Sequence, residues 1–237
     1  MSAGPVRIAL LGASGRLGSA IVRLVGADFQ GRAQIALAVD RGDSAEKLRH
    51  TRDYDVLVDV SLPEACEAVA RDLLMEGPSL LPPFVVGSTG WTAEQARTLE
   101  EYARRGPLLQ TTNFSPAVAI FHRIMEDHAQ HLADLGYRTT AYDAHHAQKR
   151  DAPSGTLKTL MGPLERAGPK PEVTVVREGT IVGTHEVSFI GPDDILTVRH
   201  EARNRDLFAR GAVVAALWLA HPSRKNPGRH TMADVFR

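Results

Sequence analysis

The first half of the chain alternates between short apolar runs and segments with helical spacing. Apolar runs predict strands at residues 6–11, 35–39 and 53–61, and a strand followed by a turn at residues 83–90 and 107–115. The intervening segments begin at helix-start signals, such as Pro63 and the N-cap candidate Thr92. Successive strand–helix units predict a parallel, doubly wound sheet, whose ligands gather at the carboxyl ends of the strands.

The second half of the chain follows a different pattern. Helices are predicted at residues 117–132 and 208–219, and strand-like alternation with glycine turns at residues 137–146, 172–191 and 194–203. This pattern predicts a mixed sheet instead of further strand–helix units. We therefore expect an α/β protein in which residues 1–113 and 206–237 form a parallel-sheet domain. Residues 114–205 would form a smaller α+β domain with a mixed sheet.

A glycine-rich turn, GASGRLG, joins the first predicted strand to the first predicted helix. Strand, tight glycine turn and helix is the arrangement that dinucleotide binding requires. In such a turn Gly12 permits the reversal, Gly15 lets the backbone approach a pyrophosphate, and Gly18 lets the helix pack close to the strand. The spacing G-x-x-G-x-x-G is not the commoner G-x-G-x-x-G, so an ordinary strand-to-helix turn remains an alternative.

The end of the second predicted strand carries Asp40 and Arg41. They lie about 20 residues beyond the glycine turn, where an acid bonds the adenosine ribose hydroxyls in dinucleotide-binding folds. Asp40 favours NADH, whereas Arg41 is able to bind the 2′-phosphate of NADPH, so both cofactors remain open. Small polar residues follow the other strands, at 60–61, 87–90 and 111–115, and suit a nicotinamide ribose or ring.

Residues 145–156, HHAQKRDAPSGT, concentrate proton-transfer and anion-binding groups. His145 and His146 exchange protons near neutral pH, and Lys149 supplies a positive charge. The stretch from Ser154 to Thr156 predicts a turn with hydroxyls and N–H groups ahead of a helix N-terminus, which favours a carboxylate or phosphate.

Two other interpretations of this segment are available. A half-exposed loop is the simplest one for a His-His pair. A metal site is disfavoured, because His145 and His146 are adjacent and no carboxylate or cysteine stands at a usual ligand spacing.

Composition narrows the class of partner. The 237 residues are 43% hydrophobic and 24% charged, with a formal net charge of zero. These values are typical of a soluble globular protein and give no support for nucleic-acid or membrane binding. The pattern predicts neither a signal peptide nor a membrane span. A single cysteine, Cys66, excludes an intrachain disulfide and fits a cytoplasmic location.

Several segments, taken in order, resemble one enzyme family. They are GASGRLG, GSTGW, TNFSPAV, HHAQKRDAPSGT, REGTIVGTHEVSF and HEARNRDLFARGAVVAALWL. The chain resembles the 4-hydroxy-tetrahydrodipicolinate reductase (dihydrodipicolinate reductase) family of lysine biosynthesis over nearly its whole length. The resemblance implies a Rossmann-like domain, a mixed-sheet domain that builds a homotetramer, a small dicarboxylate substrate, and NADH or NADPH as reductant.

The resemblance also implies roles for individual residues. His145 resembles the acid/base histidine of the family and Lys149 its proton donor. His146, Gly155 and Thr156 match positions that bind the substrate carboxylates, and we expect Ser154 to act with them. The positions that match cofactor contacts are Gly12, Ala13, Ser14, Gly15, Arg16, Leu17, Asp40, Arg41, Gly87, Ser88, Thr89, Thr112, Asn113, Phe114 and Ser115.

The chain also departs from the family pattern. The segment between Asp40 and Asp53 is shorter than usual, Ser61 stands where threonine is frequent, and His230 where an aromatic is common. These departures concern the cofactor preference and the tetramer more than the reaction. Two other functions stay open: a reductase of a related imine or amino acid, and a catalytically inactive dinucleotide-binding regulatory protein. The intact HH-x-x-K argues against the second, because a sensor needs no proton donor.

Overall fold

A computed structural model describes residues 4–40, 48, 53–75, 81–224 and 226–236. The chain divides into two compact units. The first unit comprises Met1–Phe114 and Phe208–Val235, and the second comprises Ser115–Leu207. Arg41 and most of the segment between Asp40 and Asp53 lie outside the described residues.

Within the described residues, the first unit contains a six-stranded sheet in which all paired strands run parallel. Its strands are β1 (Val6–Leu11), β2 (Ala33–Val39), β3 (Val56–Asp59), β4 (Phe84–Val86), β5 (Pro107–Gln110) and β10 (Gly228–His230). The order across the sheet is β10-β5-β4-β3-β1-β2. The chain thus starts inside the sheet and extends it in both directions, which is the doubly wound topology.

Five helices accompany this sheet in the described part of the first unit. They are α1 (Arg16–Asp28), α2 (Pro63–Met75), α3 (Ala93–Arg105), α6 (Asp206–Leu219), which starts two residues before the unit, and the short α7 (Met232–Val235). Strands β3 and β4 are buried at every position, as expected of parallel strands that are covered on both faces. Thr92 caps α3 in a capping box with Gln95, so the predicted N-cap is confirmed.

The second unit contains a four-stranded sheet among its described residues, in the order β7-β6-β8-β9. The strands are β6 (Arg138–His145), β7 (Glu172–Arg177), β8 (Gly183–Ile190) and β9 (Ile195–Ala202). Strands β6 and β7 are parallel and the other pairs are antiparallel, so the sheet is mixed. Helices α4 (Pro116–Asp134) and α5 (Gly155–Ala167) bury an apolar cluster that includes Phe121, Leu160 and Phe189.

The expected fold class, a Rossmann-like parallel-sheet domain with a smaller mixed-sheet α+β domain, is confirmed. One strand differs from the sequence-based expectation, because β10 was not predicted. The expected strand and turn at residues 107–115 are observed, with the strand ending at Gln110. Three residues of β10 pair with β5, and so short a strand carries little periodicity. No described helix is long and apolar enough to cross a membrane.

Candidate active site

The carboxyl edge of the parallel sheet holds most of the predicted cofactor residues. The glycine turn follows β1, Asp40 follows β2, Gly87 follows β4, and residues 112–114 follow β5. Ser14 donates hydrogen bonds to Asp40 Oδ1 from its backbone N–H at 2.9 Å and from its hydroxyl at 2.8 Å. These bonds join the turn after β1 to the end of β2.

The glycine turn is packed too closely for larger side chains. Gly12 has a φ of +86°, which lies in the left-handed region. A Cβ atom on Gly18 would lie 2.0 Å from the carbonyl oxygen of Gly12. Only glycine at this position lets α1 approach the turn, as the sequence analysis expects of a dinucleotide site.

The N-terminus of α1 differs from those of three other helices. Helices α3, α4 and α5 are capped by the hydroxyls of Thr92, Ser115 and Ser154. Gly15, the N-cap of α1, has no side chain that accepts such a bond. The first N–H groups of a helix carry partial positive charge and bind anions when no side chain caps them. This turn therefore fits the pyrophosphate of a dinucleotide.

Two further turns on this edge are tied together by a buried acid. Asp59 is fully buried at the end of β3 and accepts hydrogen bonds from the hydroxyls of Ser61 and Ser88, both at 2.5 Å. Burial raises the pKa of Asp59, and the serine hydrogen bonds oppose that rise. Because the Ser88 hydroxyl is used by Asp59, its side chain shapes the turn after β4. An acid that ends a buried strand was an available sequence signal for Asp59.

Phe114, in the turn after β5, packs against Gly87 at the same edge of the sheet. Its side chain is 3% exposed, and a Cβ on Gly87 would lie 2.3 Å from its ring. Ser115 is 1% exposed and uses its hydroxyl as the N-cap of α4. The Ser115 hydroxyl thus accepts a hydrogen bond from the helix, and its contact with a cofactor stays a prediction.

In the second unit, strand β6 places His145 at its carboxyl end, and the loop that follows leads into α5. His145 is 8% exposed. Lys149 Nζ lies 2.7 Å from Asp151 Oδ1. The lysine lowers the pKa of the Asp151 carboxyl through a hydrogen bond and its charge, although partial burial opposes this effect.

Ser154, which is predicted to act with the substrate-binding residues, makes several hydrogen bonds inside the second unit. Its N–H and hydroxyl donate to the Asp143 carboxylate at 3.0 and 2.6 Å, and the residue is 2% exposed. The hydroxyl also accepts from the N–H of Leu157, which caps α5. Ser154 thus fixes the turn from inside, and the exposed part of the turn is Gly155 with the half-exposed Thr156.

Asp143 is the centre of a cluster that sequence analysis did not identify. Its fully buried carboxylate lies 2.7 Å from the Arg177 guanidinium, 3.3 Å from His145 Nδ1 and 3.6 Å from His185 Nε2. Burial alone would raise the pKa of Asp143, but the contacts with His145, Ser154 and Arg177 outweigh it and hold that pKa well below its ordinary value. Alternation along β6 puts Asp143 and His145 on one face, which was an available signal.

The two histidines beside Asp143 are packed edge to face, with ring centroids 5.2 Å apart. Burial, followed by repulsion from His145, lowers the pKa of His185 to about 4. His185 is therefore neutral at neutral pH. His146 is also affected, since partial burial and then the positive charge of Arg205 lower its pKa.

The fold brings together a group that spacing in the sequence does not reveal. One ligand atom from each of Asp143, His145 and His185 lies within 4.8 Å of the others, which meets the distance requirement of a cation site. However, Arg177 already lies 2.7 Å from the same carboxylate, and its fixed positive charge opposes a second cation. We interpret the group as a cluster of hydrogen bonds and ion pairs.

Comparison with known proteins identifies the family to which this architecture corresponds. Residues 6–114 match the family model "Dihydrodipicolinate reductase, N-terminus", and residues 117–236 match "Dihydrodipicolinate reductase, C-terminus". The chain belongs to the dihydrodipicolinate reductase family. The two matches account for both compact units, so the resemblance inferred from the sequence motifs is confirmed.

Individual relatives extend this result over the full length. The 4-hydroxy-tetrahydrodipicolinate reductase of Stenotrophomonas maltophilia (strain K279a) is 37% identical over 248 residues, covering 100% of both chains. That of Methanocorpusculum labreanum is 34% identical and covers 98% of this chain and 99% of its own. A dipicolinate-bound dihydrodipicolinate reductase from Paenisporosarcina sp. TG-14 shares the fold, with a TM-score of 0.74, 19% identity and coverage of 96% and 97%.

Proposed function

We propose that this protein reduces 4-hydroxy-tetrahydrodipicolinate to tetrahydrodipicolinate, with NADH or NADPH as reductant, in lysine (diaminopimelate) biosynthesis. The observation that carries the proposal is family membership along the whole chain, with HH-x-x-K-x-DAPSGT placed at the end of β6. The balanced reaction consumes the substrate, one NAD(P)H and one proton, and releases the product, NAD(P)⁺ and water.

The first unit supplies the dinucleotide site in this proposal. The uncapped N-terminus of α1 holds the pyrophosphate, and Asp40 holds the adenosine ribose hydroxyls. Residues 87–89 and 112–114 surround the nicotinamide end, which supplies a hydride when the cofactor is bound. In the structure, Asp40 accepts a hydrogen bond from the Ser14 hydroxyl. A ribose hydroxyl is the same kind of donor and would replace the Ser14 hydroxyl. Arg41, in the segment that the structure does not describe, is the proposed contact for a 2′-phosphate.

The second unit supplies the substrate site and the proton. Lys149, His146 and the turn at Gly155–Thr156 bind the two carboxylates of the substrate. In the structure, the Lys149 ammonium pairs with the Asp151 carboxylate at 2.7 Å. A substrate carboxylate would bind the same ammonium group through the same kind of ion pair. Lys149 and His145 hold the proton that accompanies the hydride. Positioning and charge complementarity then account for most of the rate.

A steady-state assay tests this proposal. The absorbance of NADH or NADPH is followed while the preceding synthase generates the substrate, and a reaction without synthase serves as the control. We expect cofactor oxidation only in the complete mixture. Oxidation only with other imines would favour the related-reductase alternative. Cofactor binding without turnover on any of them would favour the regulatory alternative.

We also propose that the protein is a homotetramer built through the sheet of the second unit. Helices α4 and α5 cover one face of this sheet. The side chain of Ile195 on β9 is 64% exposed, although isoleucine is usually buried. Light scattering after size exclusion gives the mass directly. A mass of one chain across micromolar concentrations would contradict the assembly and leave the proposed reaction unaffected.

A further inference from the structure

We infer that Asp143 is a positioning residue for the reaction: it stabilises a positive charge on His145 and holds the substrate-binding turn in shape. The inference rests on the proposed function, because it assigns work to a carboxylate that binds neither substrate nor cofactor. Asp143 lies two residues before His145 on β6, so the two side chains share one face of the sheet.

Asp143 and Arg177 hold the turn that precedes α5. Asp143 is 0% exposed and accepts both the N–H and the hydroxyl of Ser154. Arg177 donates to the same carboxylate at 2.7 Å and also to the carbonyl oxygen of Asp151 at 2.7 Å. The carboxylate and its arginine thus fix both ends of the 151–154 segment, which precedes the exposed Gly155.

The Asp143 carboxylate also lies beside the His145 ring and stabilises a positive charge on it. Its Nδ1 lies 3.3 Å from Asp143 Oδ1 but has no hydrogen bond of good geometry among the described residues. A protonated imidazole gains most from a carboxylate at this position, because its N–H would donate to a charged acceptor. An Asp–His pair of this kind orients the ring and stabilises the imidazolium in other enzymes.

Two neighbouring groups weaken the effect of Asp143 on His145. Arg177 offsets the charge of Asp143, and His185 competes for the same oxygen at 3.6 Å. The charged and titratable groups near His145, or linked to it through these contacts, include Asp143, His146, Lys149, Asp151, Arg177, Glu178, His185, His200 and Arg205. Asp143 is the only buried carboxylate among them in the described part of the unit. The proposal therefore assigns opposite effects to Asp143 and Arg177.

The test compares Asp143→Asn with Arg177→Gln, each of nearly unchanged volume. Calorimetry measures the pH dependence of binding of the dianion pyridine-2,6-dicarboxylate, which a positive charge on His145 would favour. In Asp143→Asn, binding weakens at a lower pH than in the wild type, because the charge partner is lost. In Arg177→Gln, it weakens at a higher pH, because the Asp143 charge is no longer offset.

The same variants are then assayed for turnover. We expect Asp143→Asn to lower kcat by about 10-fold or more, with the KM for NADH unchanged, and Asp143→Glu to restore part of it. Glu186→Gln is the matched control. It removes a carboxylate of the same sheet, and that carboxylate pairs with Arg199. Its pH dependence should equal that of the wild type.

Three results would overturn the inference. They are an unchanged pH dependence in Asp143→Asn, an unchanged one in Arg177→Gln, or shifts of both in the same direction. If Asp143→Asn does not fold, Arg177→Gln alone decides. A wild type that binds the dianion but turns over no substrate would refute the proposed function instead. Addition of EDTA should leave all these curves in place, and a loss of binding with EDTA would favour a cation in the cluster.

Discussion

Substitution of Gly18 by alanine tests whether the close approach of α1 to the glycine turn is required for dinucleotide binding. The new Cβ atom would lie 2.0 Å from the Gly12 carbonyl oxygen and 2.8 Å from the Ala13 Cα. Both are backbone atoms, so no side-chain rotation relieves the contact. Helix α1 must therefore move away from the turn by about 1 Å or more to restore a normal separation.

The magnitude follows from two opposing terms. Overpacking of this kind costs about 1–3 kcal/mol, whereas replacing glycine by alanine within a helix gains about 1 kcal/mol. Gly26 provides a matched control, because it lies on the same helix and a Cβ there meets nothing within 4 Å among the described atoms. The difference between the two variants isolates the contact, and at about 1–3 kcal/mol it corresponds to roughly 2–12 °C in Tm.

The effect on the cofactor should be larger than the effect on stability alone suggests. The N–H groups at the start of α1 are the proposed pyrophosphate site, and they move with the helix. A loss of about 1.4 kcal/mol in binding raises the Kd tenfold. We therefore expect the Kd for NADH to rise by about 10-fold or more in Gly18→Ala, and to stay at the wild-type value in Gly26→Ala.

Titration calorimetry gives both Kd values, and differential scanning calorimetry gives both Tm values. Equal NADH affinity in the two variants, with the Gly18→Ala protein folded, would refute the reasoning. It would show that the position of α1 against the turn does not matter for the nucleotide. A lower Tm in Gly18→Ala with unchanged NADH affinity would show that the close contact contributes to folding stability and not to NADH binding.

Three further predictions concern other parts of the molecule. Lys149→Ala and His145→Ala should each lower kcat by about 10²–10⁴-fold, with NADH binding retained, and wild-type kcat in either would remove its assigned role. Arg41→Ala should raise the KM for NADPH and leave that for NADH almost unchanged; a proportional loss with both would exclude Arg41 from the 2′-phosphate site. His185 has a pKa of about 4 in the folded protein, against about 6.5 when unfolded. The stability that the neutral His185 contributes is therefore lost as pH falls between those values. The free energy of unfolding, followed by urea denaturation, should fall by about 3 kcal/mol across that range from this residue, and His185→Gln should flatten the curve.

Much of the fold was accessible from the sequence because its signals are local. Apolar runs separated by amphipathic segments give the parallel sheet, and Thr92 three residues before Gln95 gives the start of α3. The strand β10 was missed because its stability comes from pairing with β5, more than 100 residues away along the chain. A three-residue segment has no periodicity of its own from which pairing of this kind can be inferred.

The site was predictable only in part, for a related reason. Lys149 and the turn before α5 lie close together in the sequence, so they could be proposed as site residues directly. The hydrogen bonds between Ser154 and Asp143 were not predicted, because the two residues meet only through the folded loop. Spacing in the sequence suggests candidate substrate-binding residues more easily than the buried residues that hold them in place.

The remaining part of the site depends on strand register. Asp143 lies opposite His185 across the β6–β8 pair, and His145 lies opposite Arg177 across the β6–β7 pair. A slip of β8 by one residue would turn His185 away from Asp143, to the other face of the sheet. The same slip would also expose Val187, which is fully buried in the apolar cluster under α4 and α5. The cost of exposing that side chain, about 1.5–3 kcal/mol, therefore helps to hold the charged cluster in alignment, so core packing and site geometry are maintained by one register.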